Sequence, residues 1–91
     1  MPSAGTANNG QTVRLRNLTR SEFYFEDIEV EGADERLNFV LGDEDGKPEL
    51  GEHKSEKTLT PMEWAALLAS ERYGAFVQGL LNQGDLTKYI G

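Results

Sequence analysis

Leu59-Thr60-Pro61-Met62-Glu63-Trp64-Ala65-Ala66-Leu67-Leu68 decides the fold, because it is where the chain changes from strand rhythm to helix rhythm. A threonine can offer its side-chain oxygen to the unpaired N–H groups of a first helical turn, which makes Thr60 the N-cap. Pro61 stands at the first helical position, where a missing N–H does no harm. Glu63 completes a Thr-x-x-Glu capping box, and its charge suits the positive end of the helix dipole. Trp64, Leu67 and Leu68 then line one face. Ser70 and Gly74 predict a break, after which Tyr73, Phe76, Val77, Leu80 and Leu81 recur at the spacing of an amphipathic stripe. Gly84 is placed to close that helix.

Upstream the rhythm is that of strands. Over Thr12 to Leu18, Val13 and Leu15 alternate with Arg14 and Arg16, which predicts a half-buried strand followed by a polar turn, Asn17 to Ser21. Phe23 to Glu31 reads as a second strand whose inner face switches: Phe23 and Phe25 have one parity, Ile28 and Val30 the other. Since a one-residue slip turns every side chain over, the switch predicts a bulge or bend near Glu26. After a turn at Gly32 to Glu35, Arg36 to Leu41 forms a third strand with Leu37, Phe39 and Leu41 inward. Gly42 to Lys57 has too little apolar content to pack and reads as a long exposed loop, turning at Asp45-Gly46. Leu86 to Ile90 reads as a short closing strand.

The fold class that follows is α+β: a small antiparallel β-sheet or sandwich of about three or four strands, with a C-terminal helical segment packed on it. Residues 12–91 form one domain, and residues 1–11, rich in Gly, Asn, Ser and Thr, form a flexible N-terminal arm. A chain of 91 residues has room for one core only, and that core buries roughly two-thirds of the unfolded surface. With no cysteine and no zinc-ligand spacing, nothing covalent or metallic reinforces it, so support from a partner or from further copies is expected.

The charge balance excludes several functions. Nine basic residues are scattered among sixteen acidic ones, a formal net of −7, whereas nucleic-acid binding needs clustered Lys and Arg. Arg14 and Arg16 share one strand face and read as a solvated face. Trp64 to Ala69, the longest apolar run, falls well short of the ~20 residues a bilayer requires. Met1 to Thr6 lacks the basic and apolar regions of a secretory signal.

No constellation in the chain carries chemistry. His53, the one histidine, stands in a charged loop with no Ser or Cys nucleophile marked beside it. Asp43, Asp45 and Glu49 offer oxygen ligands, but the run of carboxylates before Gly46 is one step short of the calcium-loop pattern, so neither metal nor cofactor is expected. Asp27, Glu29 and Glu31, two apart, read as a solvent-facing or partner-facing row; general acid–base work would need one of them desolvated. Asn17-Leu18-Thr19 satisfies the glycosylation sequon and reads as coincidence. Tyr24 has the parity opposite to Phe23 and Phe25, which places an outward aromatic beside acidic residues, the composition of a protein-contact patch.

Taken in order, Val13-Arg14-Leu15-Arg16-Asn17-Leu18-Thr19, Phe25-Glu26-Asp27-Ile28-Glu29-Val30, Leu59-Thr60-Pro61-Met62-Glu63, Ser70 to Phe76 and Gln83-Gly84-Asp85-Leu86 resemble the organisation of small virion structural proteins of tailed bacteriophages. The acidic stretch Gly42 to Lys57 departs from that pattern. The resemblance implies a non-enzymatic subunit of a phage particle, present in several copies, that decorates, stabilises or adapts the capsid, neck or tail. Its partners would be larger virion proteins, and it would reside in the virion, with the host cytoplasm as the place of assembly. The expected partner contacts are Asn8 and Asn9 of the arm, Tyr24, Asp27 and Glu29 of the second strand, and Asp43 and Asp45 of the acidic loop. The alternative is a small acidic regulatory or inhibitory protein that binds a basic protein partner through one continuous negative surface.

Overall fold

The computed structural model describes residues 11–90. Five strands and two helices follow in the order β1 (Val13–Asn17), β2 (Phe23–Ile28), β3 (Leu37–Leu41), β4 (Glu56–Leu59), α1 (Pro61–Ala69), α2 (Gly74–Gln83) and β5 (Leu86–Ile90). The strands form two antiparallel sheets. In the larger, β1 lies between β4 and β5; the smaller is the β2–β3 hairpin. The α+β class, with helices following a small antiparallel sheet, is thus the architecture of the chain.

β1 shows why the larger sheet forms. Val13, Leu15 and Asn17 are buried while Arg14 and Arg16 are exposed, so the sheet has one dry face and one wet face. In register, Leu15 is flanked by Lys57 of β4 and Lys88 of β5. Both lysines sit at the sheet edge, where a long stem can cover apolar surface while the ammonium stays in water. β4 was not expected, since Gly42 to Lys57 reads as loop throughout. Only one of its four residues, Leu59, is apolar and buried; backbone pairing to β1 defines the strand. The turn in that stretch is also displaced by one residue. It spans Asp43 to Gly46, with the Gly46 N–H donating to the Asp43 carbonyl at 3.0 Å, and a 3₁₀ turn at Pro48–Leu50 follows.

The bulge in β2 is present. Pairing passes from Phe25↔Phe39 to Ile28↔Leu37, so β2 holds one residue more than β3 over that interval. Asp27 absorbs it in the left-handed region (φ 59°), and its N–H donates to the Asn38 Oδ1 at 2.9 Å. Phe25 and Ile28 both reach the core as a result. Asp27, Glu29 and Glu31 do not form a single strand row, because β2 ends at Ile28.

The helices roof the hairpin and the larger sheet. Thr60 caps α1 as its sequence predicts, with both arms of the capping box made: Thr60 Oγ1 accepts the Glu63 N–H at 3.1 Å and Glu63 Oε1 accepts the Thr60 N–H at 2.9 Å. Ser70 ends α1 and accepts the Tyr73 N–H on its hydroxyl at 3.2 Å. Gly84, at φ 81°, closes α2 with N–H bonds to the Leu80 and Leu81 carbonyls, a conformation that a side chain would strain. In the core, the Phe25 ring stacks on Phe39 at 4.7 Å and meets Tyr73 at 5.1 Å. The Tyr73 hydroxyl accepts the Glu26 N–H at 3.1 Å, which ties the helical layer to the hairpin. Phe76, expected inside by its helical spacing, is 45% exposed and covers the edge of Phe23 instead.

Candidate functional site

Two polar turns meet beneath the open end of the hairpin, and their docking builds the surface on which Tyr24 stands. Asn17, 0% exposed, is the one buried polar residue among the described residues. Its amide donates to the Ser21 carbonyl at 2.7 Å and to the Gly42 carbonyl at 2.8 Å, while its oxygen accepts the Thr19 N–H and hydroxyl at 2.9 and 2.8 Å. A buried polar group is tolerated when its bonds are made inside, and here they are. The amide nitrogen that a glycan would occupy is committed to two carbonyls in the folded chain. The acidic turn closes the other side, with the Glu44 N–H donating to the Thr19 carbonyl at 2.7 Å.

Gly42 lets the chain return close enough to place His53. A Cβ on Gly42 would lie 2.1 Å from the His53 carbonyl oxygen, and the Gly42 N–H donates to the Lys54 carbonyl at 2.7 Å. The returning segment sets the His53 ring beside β2. Its Nδ1 is 3.1 Å from Glu22 Oε2, and the other carboxylate oxygen accepts the Tyr24 hydroxyl at 2.8 Å. The Tyr24 and His53 rings meet edge to face at 6.2 Å. The Tyr24 hydrogen bond, then that from His53, holds the Glu22 carboxyl below its ordinary range; the same carboxylate raises the Tyr24 phenol. A carboxyl lowered in the fold contributes stability above its unfolded value and loses it as pH falls through the lowered one. Glu22, Asp43, Glu52 and His53 line a shallow hollow at this point.

The expected contact residues fall in three places. Tyr24, 53% exposed, and Asp43 belong to this surface, together with Glu22 and His53, which sequence reasoning did not join to them. They are brought together by the returning loop, a contact between residues thirty-one apart that no periodicity announces. Asp45 is exposed on the acidic turn, its N–H bonded to Asp43 Oδ1 at 3.0 Å. Asp27 lies near the other end of β2 and Glu29 just beyond it, roughly 10 and 17 Å from Tyr24 at the rise of an extended strand. There Arg36 bridges both, at 3.2 Å to Asp27 and 3.9 Å to Glu29. Asn8 and Asn9 lie outside the described residues.

Chemically the Tyr24 surface can hydrogen-bond, stack and attract cations. Its histidine, tyrosine and carboxylate are exposed and face solvent, without the desolvation that acid–base work requires. Among the described residues, no three His, Asp or Glu side chains converge as metal ligands, and no helix is long and apolar enough to cross a membrane. In comparisons with known proteins, the chain matches no protein-family profile, no curated protein and no solved structure.

Proposed function

We propose that this chain is a non-enzymatic assembly subunit that binds larger proteins, in the setting its sequence resemblance implies: a structural component of a tailed-phage particle, present in several copies on the capsid, neck or tail. The observation that carries the binding reading is Tyr24. It is an exposed aromatic already fixed in one orientation by Glu22 and flanked by His53. A rigid, amphipathic ring loses little freedom when a partner covers it, which is why such residues anchor interfaces. The particle setting rests on the resemblance alone.

The alternative, an acidic regulatory or inhibitory protein that binds a basic partner, needs Asp27, Glu29, Glu31 and the Asp43–Asp45 cluster on one continuous negative surface. Their separation along the hairpin, and the Arg36 bridge across Asp27 and Glu29, favour the assembly reading.

The test is to isolate particles from cells expressing the chain or its variants and measure its stoichiometry. The reading expects a fixed multiple of the particle symmetry, and Tyr24→Ala should fold by circular dichroism yet incorporate poorly. Removal of residues 1–11 should likewise leave the fold intact and impair incorporation. Absence from purified particles overturns the particle setting, and undiminished incorporation of Tyr24→Ala overturns the role given to that surface.

A further inference from the structure

Charge in this chain is segregated. Residues 22–52 carry twelve of the sixteen acidic side chains and only two basic ones, Arg36 and Lys47, a local net of −10; with a total of −7, the remaining residues are net +3. The fold collects that positive charge on one sheet. The strands β4, β1 and β5 hold four basic side chains (Arg14, Arg16, Lys57 and Lys88) against a single acidic one, Glu56.

Arg14 and Arg16 form the middle row of the outer face of that sheet, with Thr58 and Glu56 beside them on β4 and Tyr89 and Thr87 on β5. The core lies on the opposite side, with Leu15. Glu56 is 3.7 Å from each arginine, so one carboxylate serves two guanidiniums and the pair keeps a net positive charge. The Arg14 guanidinium also rests over the Tyr89 ring, 4.7 Å from its centre. A fixed, half-compensated arginine pair on a flat face is a ready acceptor for carboxylates.

The complementary surface is the turn between β2 and β3. Glu29, Glu31, Asp34 and Glu35 on the turn, with Glu26 and Asp27 at the adjoining end of β2, are all exposed, and Arg36 pairs with only two of them. Within one chain this turn cannot reach the arginine face. It lines a groove with Lys57, Thr60 and Met62, and Lys57 has the strand parity opposite to Glu56 and Thr58. No ion pair joins the turn to Arg14 or Arg16.

We infer that the outer face of the larger sheet, centred on Arg14, Arg16 and Tyr89, receives the acidic β2–β3 turn of a second copy of this chain, head to tail. The two surfaces differ, so the contact is heterologous: each added copy leaves one face open, and the series either closes into a ring or continues. The contact deepens the assembly reading and rests on it only for the presence of several copies.

Sedimentation velocity on the purified full chain tests this. At about 20 mM salt the chain should associate, and at about 500 mM, where the screening length is only a few ångströms, association should weaken at least tenfold. Arg14→Gln with Arg16→Gln should abolish association, and so should Glu31→Gln with Asp34→Asn and Glu35→Gln. An equimolar mixture of the two variants should form a dimer that grows no further, because each supplies the surface the other lacks. Circular dichroism checks that both variants fold. A chain monomeric at low salt overturns the inference, and so does association that survives the arginine substitutions or a mixture that stays monomeric. Binding of a polyanion such as heparin to the arginine face of an otherwise monomeric chain would identify a different occupant and overturn it as well. A chain that is monomeric alone yet recovered in particles would sink this contact and leave the assembly reading standing.

Discussion

Asn17-Leu18-Thr19 and Asp43-Glu44-Asp45 are both polar turns, and both close with a side-chain oxygen accepting the N–H two residues on, at 2.9 and 3.0 Å. They even touch, through the bond from the Glu44 N–H to the Thr19 carbonyl. Yet the Asn17 side chain of the first is sealed in the fold, while Asp43 of the second is half-buried and its two neighbours are exposed. The difference is one atom type. An amide carries donors as well as an acceptor, so a buried Asn17 can donate to the Ser21 and Gly42 carbonyls; a carboxylate only accepts, and its charge keeps it near water. The first turn therefore fixes the structure, and the second is free to present a surface.

The strongest test of that contrast is Asn17→Asp. The substitution keeps the accepting oxygen, removes both donors and places a charge where exposure is 0%. A loss of about 3–5 kcal/mol by chemical denaturation is expected, since an uncompensated buried charge adds to the lost amide bond to the buried Gly42 carbonyl. The deficit should depend on pH. Burial raises the introduced carboxyl above its unfolded value near 3.9, so the deficit is least below that value and grows as pH rises through the raised one. A loss under about 1 kcal/mol would mean that water enters the site.

Gly42→Ala attacks the dock between the turns. The added Cβ would meet a backbone oxygen at 2.1 Å, and backbone cannot swing aside as a side-chain tip does. About 2 kcal/mol should be lost. The Tyr24–Glu22–His53 cluster should loosen with it, because the displaced segment carries His53; the His53 ring resonances by NMR report that. An unchanged His53 signal would show that β2 alone positions the ring.

These two residues also mark where sequence reading stopped. The capping box at Thr60, the bulge beside Glu26, the Gly84 cap and the outward parity of Tyr24 are local, and local rules found them. β4 was hidden because a strand held by its backbone pairing needs few apolar side chains, and Glu56-Lys57-Thr58 supplies none. The partners of Tyr24 were hidden for a related reason: His53 arrives by way of a glycine contact that only the folded chain reveals. Asn17 was read as part of a turn, which it is, while its burial follows from the return of Gly42, twenty-five residues on.

Thr60→Ala is the next smaller effect and calibrates the comparison. Thr60 makes the same kind of side-chain-to-backbone bond as the two turns, on an exposed residue. About 1 kcal/mol should be lost, between the sealed turn and the open one. No change in denaturation midpoint would mean that the helix is held by its packing alone.

Asp43→Asn is the smallest. It is the reverse of Asn17→Asp: the accepting oxygen remains for the Asp45 N–H, and the substitution adds donors without burying a charge. Asp43 is half-buried and faces the hollow shared with Glu22 and Glu52, so removing its charge also relieves repulsion there. Stability should therefore stay within about 0.5 kcal/mol of the parent chain. The same chemical exchange, made in opposite directions in two turns with the same local bond, would then differ by several kcal/mol, and burial alone would account for it. A loss above about 1 kcal/mol from Asp43→Asn would show that the carboxylate is itself structural, and the acidic turn would cease to be a surface that the fold leaves free for a partner.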